Sequence, residues 1–260
     1  MTTSGLGNET DEDRVVGADR VLAVLVELAN HPTGVTLDEL AQRMGSSKST
    51  IHRALASLRR AGLASQPSRG TYLLGDEFLR LAFMHHEARP EEAHIKPALE
   101  RLAATYGEAA HYAVLDGVDV VYRAKVNPPV GGIRLTSVIG GRNAAHASGV
   151  GKVLLAAVAE DLEQLLERYA GVTALTARTP RTVTSVSALW DQLVITKKQG
   201  YGVDDEESEN GIACLAVPVH NPAGKIVGAV SVSALVFRTP LARLIEDAPK
   251  IQAIVNGEQT

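Results

Sequence analysis

Apolar positions recur at helical spacing in the first third of the chain and alternate in much of the remainder. Val21, Leu22, Leu25 and Leu28 share one helical face, which stops at Asn30-His31-Pro32. Thr36-Leu37-Asp38-Glu39 is a capping box, and Leu37, Leu40, Ala41 and Met44 supply the stripe of the helix it opens. Gly45 breaks that helix, and Ser46 or Ser47 caps the next. Its buried face is Ile51, Ala54, Leu55 and Leu58, and Gly62 ends it. Leu63-Ala64-Ser65 and Thr71–Leu74 then read as short strands around Gln66–Gly70, so the pattern predicts a winged helix-turn-helix over residues 15–75.

An amphipathic stretch, Asp76 to Glu87 with Phe78, Leu79, Ala82 and Phe83, is interrupted at Arg89-Pro90 and predicts a linker helix over 76–90. A second domain follows over 91–260. It begins with a helix from Glu91 to Tyr106 carrying Ile95, Leu99, Leu102 and Ala103 on one side. The alternating runs Ala110–Leu115 and Val118–Val126 flank Asp116-Gly117, a hairpin signal. Ile133–Val138 is strand-like, and helices are expected near Gly149–Ala159, Leu162–Tyr169 and Ser185–Gln199. Ile212–Val219 and Ile226–Val236 complete the sheet, and Leu241–Val255 closes the chain as one helix. The fold class is therefore α+β, in two domains.

Charge sharpens this picture. The chain is acidic, net −4, yet from Leu40 to Gly75 there is no Asp or Glu, while Arg43, Lys48, Arg53, Arg59, Arg60 and Arg69 fall inside that window. A carboxylate-free island on a helix-turn-helix suits a polyanion. The expected DNA-facing residues are Ser47, Lys48, Ser49, Thr50, His52 and Arg53 on the second helix of the motif, with Arg53 aimed at a guanine, and Arg69 at the hairpin tip. A basic helical face that is merely solvated is the alternative. One recognition helix reads few base pairs, so a dimer on a pseudo-palindromic operator is expected. The linker face from Phe78 to Phe83 would be its seam, unless it packs within the monomer.

The composition adds little chemistry. With 45% hydrophobic residues, one cysteine, a polar acidic start over 1–14 and no long apolar run, the expectation is a cytoplasmic protein with a disordered N-terminus and no membrane contact. Gly149-Val150-Gly151-Lys152 is not a phosphate loop: His146 stands where the first glycine must be, and Val153 where Ser or Thr must be. Cys214 lies in an apolar run with no histidine at informative spacing, and His85, His86 and His94 lack a metal-binding pattern. No cofactor or metal is expected. An enzyme or thiol-dependent catalyst fused to a DNA-binding module remains the alternative function.

Near the C-terminus, Asn221-Pro222-Ala223-Gly224 has a type I turn signature. A hairpin pairing His220 with Lys225 would set Cys214 opposite Ser231 and Ile212 opposite Ser233, all on one face. Two serines in an apolar strand either bond neighbouring backbone or serve a ligand.

Three segments carry a family resemblance. "TLDELAQRMGSSKSTIHRALASLRRAG" (36–62) resembles the DNA-binding half of the IclR-type bacterial transcription regulators. "AAHASGVGKVLLA" (144–156) resembles the helix start of that family's effector domain. "GYGVDDEESENGIACLAVPV" (200–219) resembles its C-terminal signature, with Gly200, Asp204, Glu207, Cys214, Ala216 and Pro218 at the family's spacing. The resemblance spans roughly residues 15–255. It implies a winged helix, a linker helix and a GAF-like α/β effector-binding domain, assembled as dimers or tetramers. It further implies that Cys214, Ser231 and Ser233 line an effector site, and that Asp204 accepts from a ligand hydroxyl or water. The N–H groups of Gly149 and Val150 would hold a carboxylate. The expected protein is a ligand-responsive, sequence-specific regulator, read as a repressor, with a small organic acid, aromatic acids included, as effector and a pocket that is not catalytic.

Overall fold

The computed structural model describes residues 17–87, 90–128, 135–172 and 174–258. The expected disordered start therefore lies outside the described residues, as do the side chains of His85 and His86. The chain divides into two compact units between Arg89 and Pro90.

In the first unit, α1 (Gly17–Ala29), α2 (Leu37–Arg43) and α3 (Lys48–Arg60) surround one core. The capping box forms as its sequence dictates: Glu39 N–H donates to Thr36 Oγ1, and the Thr36 N–H donates to the Glu39 carboxylate. Ser47, rather than Ser46, caps α3. Ile51, Ala54, Leu55 and Leu58 are all buried. On α1 Val24 and Leu28 are buried and Val21 and Leu25 half-buried against the same core, whereas Leu22 is 58% exposed. The i, i+3, i+4, i+7 series from Val21 runs through Val24, so Leu22 falls off its edge. The wing hairpin β2 (Ala64–Ser68) and β3 (Thr71–Leu74) takes a third strand, β1 (Val35–Thr36), which the sequence pattern did not announce. Helix α4 spans Asp76–Glu87, and on it Leu79, Leu81, Phe83 and Met84 are exposed.

The second unit is a six-stranded antiparallel sheet of order β6-β5-β4-β9-β8-β7. Its strands are β4 (Ala109–Asp116), β5 (Asp119–Val126), β6 (Arg142–Ala144), β7 (Gly202–Asp205), β8 (Ile212–His220) and β9 (Ile226–Leu235). On one face, α5 (Pro90–Tyr106), α9 (Leu241–Glu246) and α10 (Ala248–Val255) pack Leu99, Leu102, Leu244 and Ile251 onto Tyr112, Leu215 and Val230. On the other, α6 (Gly149–Val158), α7 (Leu162–Arg168) and α8 (Val186–Gln199) pack Val150, Val153, Leu165 and Leu193 onto Ala113, Ala216 and Ala229.

Three expectations are corrected here. Of the expected strand Ile133–Val138, positions 133–134 lie outside the described residues and 135–138 form no strand; the Lys125 ammonium takes the Leu135 and Ser137 carbonyls, at 2.8 and 2.7 Å, and so replaces a ladder partner. The sheet's edge strand is β6 instead. The closing helix is two helices that meet at Asp247, because Pro249 has no N–H to carry an unbroken ladder through. The β8–β9 register is displaced by two residues, so that Cys214 faces Ser233, Ala216 faces Ser231 and Ile212 faces Leu235. One residue comes from the wider turn, since Asn221 rather than His220 pairs with Lys225. The other comes from a bulge beyond Val219.

Candidate functional site

Two surfaces answer to the sequence expectations. On α3, Ser47, Lys48, Ser49, His52 and Arg53 are exposed and Thr50 is half-buried. The cap organises the helix start: Ser47 Oγ accepts from the Thr50 N–H and shares hydrogen bonds with the Ser49 and Thr50 hydroxyls, both at 2.9 Å. Lys48 is not an unpaired cation, because Asp38 of α2 lies 2.8 Å from its Nζ. Such an exposed pair is screened and cheap to exchange for another anion. Arg69 sits exposed in the tight Arg69-Gly70 turn of the hairpin, where Gly70 adopts φ +89°.

The second surface is a cavity of about 220 Å³ on the α6 face of the sheet. Gly149 and Val150 from α6, Asp204 from β7, Cys214 from β8 and Ser231 and Ser233 from β9 all line it. Helix α6 lies so close to its neighbours that side chains are excluded: a Cβ on Gly151 would stand 2.1 Å from the Ala145 carbonyl oxygen, and one on Gly202 would stand 2.7 Å from that of Gly149. The glycines of the 149–152 run thus serve close packing. Ser148 caps the helix through the Gly151 N–H, while the N–H groups of Gly149 and Val150, in the first turn, have no acceptor within the helix.

Beneath that helix start, Lys152 is fully buried and ion-paired with the buried Glu207, and its Nζ also donates to the Val203 carbonyl at 2.9 Å. Asp204 Oδ1 accepts from the Glu207 and Ser208 N–H groups. Burial nevertheless pushes the Asp204 carboxyl up to about 7, against the pull of those donors and of Lys152. Burial likewise raises the Cys214 thiol well above its ordinary value, with the Asp204 charge adding to the effect. A thiol held protonated is a poor nucleophile. Among the described residues no cluster of three or more His, Cys, Asp or Glu is placed to hold a metal.

Sequence reasoning missed several lining residues: His111 and Tyr122 from the β4–β5 hairpin, Ser137 from the following loop, and Asn143, Arg178 and Ser208. His111 is 2% exposed and stands opposite Ser231 across β4–β9. Its signal was a lone histidine in an apolar strand, which is informative only once the β4–β9 pairing is known.

A DNA-binding head with a three-stranded wing, joined in one chain to an α/β unit whose sheet carries a polar cavity, defines a ligand-responsive regulator. Family comparisons agree. The family model for the bacterial transcriptional regulator IclR C-terminal domain matches residues 91–256, and that for the IclR helix-turn-helix domain matches residues 17–68. The transcriptional regulator XynR of Escherichia coli K12 is 33% identical over 92% of this chain and 93% of its own. The regulator BhcR of Paracoccus denitrificans is 36% identical over 92% of this chain and 84% of its own. A solved IclR homologue from Microbacterium hydrocarbonoxydans, complexed with 4-hydroxybenzoate, shares the fold with a TM-score of 0.73, 23% identity and coverage of 92% of this chain and 100% of that one. The chain belongs to the IclR family of bacterial transcriptional regulators, with a helix-turn-helix domain and a C-terminal effector domain.

Proposed function

We propose that this regulator is a cytoplasmic, non-enzymatic repressor that reads its operator through α3 and the wing, and senses a small organic acid in the α6 cavity. Ser47, Lys48, Ser49, Thr50, His52 and Arg53 meet the major groove, and Arg69 meets backbone or minor groove. Helix α4 links the two units, and its exposed Leu79, Leu81, Phe83 and Met84 form the seam of a homodimer, alone or as half of a tetramer. No described helix is long and apolar enough to cross a membrane.

One observation carries the effector reading: the first turn of α6, with its unpaired N–H groups, lines a cavity whose other walls include Asp204, Cys214, Ser231 and Ser233. Unpaired donors at a helix start favour a carboxylate. The raised thiol, and the low basicity of the buried His111 that bonds the Ser233 and Ser137 hydroxyls, speak for binding rather than turnover. The 4-hydroxybenzoate of the Microbacterium homologue makes aromatic acids sensible first probes. The test is fluorescence anisotropy of labelled operator against a panel of aromatic and aliphatic acids. Ser231→Ala with Ser233→Ala should leave effector-free DNA binding intact and abolish the acid's influence on it. A double variant that still responds normally places the effector elsewhere.

A further inference from the structure

The cavity has two chemically distinct ends. The α6 end offers backbone N–H donors and the helix dipole, and suits an anion. The other end is a hydrogen-bonded rung that crosses three neighbouring strands. Cys214 Sγ donates to Ser233 Oγ at 3.2 Å, Ser233 Oγ bonds His111 Nδ1 at 3.2 Å, and His111 Nε2 bonds Ser137 Oγ at 2.8 Å. The rung follows directly from register, since Cys214 pairs with Ser233 across β8–β9, and β9 pairs with β4.

We propose that His111 is a specificity-determining residue of the effector cavity, selecting acids that carry an uncharged hydroxyl distal to the carboxylate; the inference rests on the acid-binding reading above. Both imidazole nitrogens are engaged, so a neutral ring donates through one and accepts through the other. In one tautomer His111 receives the Ser233 O–H and donates to Ser137, whose own O–H is then turned outward as a donor. In the other, Ser137 donates to the ring and shows only lone pairs. A ligand hydroxyl, which both donates and accepts, satisfies either state. A second carboxylate would need charge compensation, and the cations described near this end are already engaged by other acceptors. Among the described residues, Lys125 is not in the lining and its ammonium is directed at the Leu135 and Ser137 carbonyls, while Arg142, which does line the cavity, is ion-paired with Asp116 and Asp119. Burial and the Lys125 charge hold His111 down to about 3, so the ring stays uncharged across the physiological range. Arg178 lines the cavity bonded to the Ser208 carbonyl, and the Asp204 carboxyl acts on the Cys214 end of the rung rather than on His111.

The test uses full-length protein, calorimetric affinities and matched acids: benzoate against 4-hydroxybenzoate, propionate against 3-hydroxypropionate, and butyrate against 4-hydroxybutyrate. Wild type should prefer the hydroxy acid of at least one pair by about tenfold or more, because the deoxy partner leaves the rung's end unpaired. His111→Leu and Ser137→Ala should bring that ratio close to unity, and His111→Gln, which keeps a donor and an acceptor, should restore part of it. Ser137 lies on a loop, so its variant guards against loss of fold in the strand variants. Binding without preference in wild type, or a ratio that survives both His111→Leu and Ser137→Ala, overturns the inference. If no acid in the panel binds wild type, the acid-cavity reading itself fails, and this inference with it.

Discussion

Replacing Lys152 by Met tests whether the ion pair beneath the cavity holds the second unit together. The lysine side chain is 2% exposed and that of Glu207 6%, and the pair joins α6 to the turn after β7. Truncating one partner leaves the other charge buried without compensation, at a cost of about 3–5 kcal/mol. The Val203 carbonyl also loses its 2.9 Å donor, which adds about 1 kcal/mol. For a unit of this size 1 kcal/mol moves Tm by about 2–4 °C, so the single variant should melt about 8–24 °C lower. Lys152→Met with Glu207→Leu should recover most of that, because apolar residues of similar volume can replace a buried pair at little net cost. Calorimetric unfolding of wild type, both single variants and the double gives the coupling energy directly. A coupling below about 0.5 kcal/mol would refute the reasoning and make the pair incidental to stability.

Other perturbations separate the remaining claims. Arg53→Ala should cost about 1–3 kcal/mol of operator affinity and relax specificity at one base pair, whereas Arg69→Ala should weaken all sequences alike; binding measured on operator variants at fixed salt decides between them. Ser47→Ala removes the α3 cap and should destabilise the first unit by about 1 kcal/mol, read as a lower urea midpoint at unchanged m. Asp204 is held in the fold at about 7, above the ordinary 3.8, so its contribution to stability is complete below about pH 4 and is lost as pH rises through 7. The loss is on the order of 4 kcal/mol, and Asp204→Asn, which keeps an acceptor for the Glu207 and Ser208 N–H groups, should flatten the decline between about pH 4 and 7. A decline equally steep in Asp204→Asn would assign it to another group.

The DNA-binding unit was legible because its signals are local. Thr36 and Glu39 stand three apart, Ser47 precedes its helix directly, and the Ile51 stripe needs no partner to be recognised. Where the sequence misled, the cause was non-local. Strand β1 is two residues long and exists because β3 lies beside it. The 135–138 segment has strand-forming residues, but a lysine from β5 takes the carbonyls a neighbouring strand would have used. Lys48 lies in a stretch of sequence free of carboxylates, yet Asp38, ten positions earlier, folds back onto it.

The cavity shows how a right face can follow from a wrong register. Counting from an Asn-Pro-Ala-Gly turn set Cys214 opposite Ser231, and the turn proved one residue wider than that count. Had the slip stopped there, period-two alternation would have sent the serines to the opposite face, toward α5 and α10. The bulge beyond Val219 adds a second residue and returns them to the α6 side. Neither displacement is visible in composition or hydropathy, because a bulge is stabilised by what packs on both faces of its strand. The same two-residue slip puts Ser233, not Ser231, beside Cys214, and it is Ser233 that bonds His111. Val227 is the residue the bulge absorbs, so deleting it should straighten the ladder while Val219 still faces Gly228 and Cys214 still faces Ser233, and the Cys214–Ser233–His111 chain should survive; its loss on that deletion would show that the bulge does more than take up one residue.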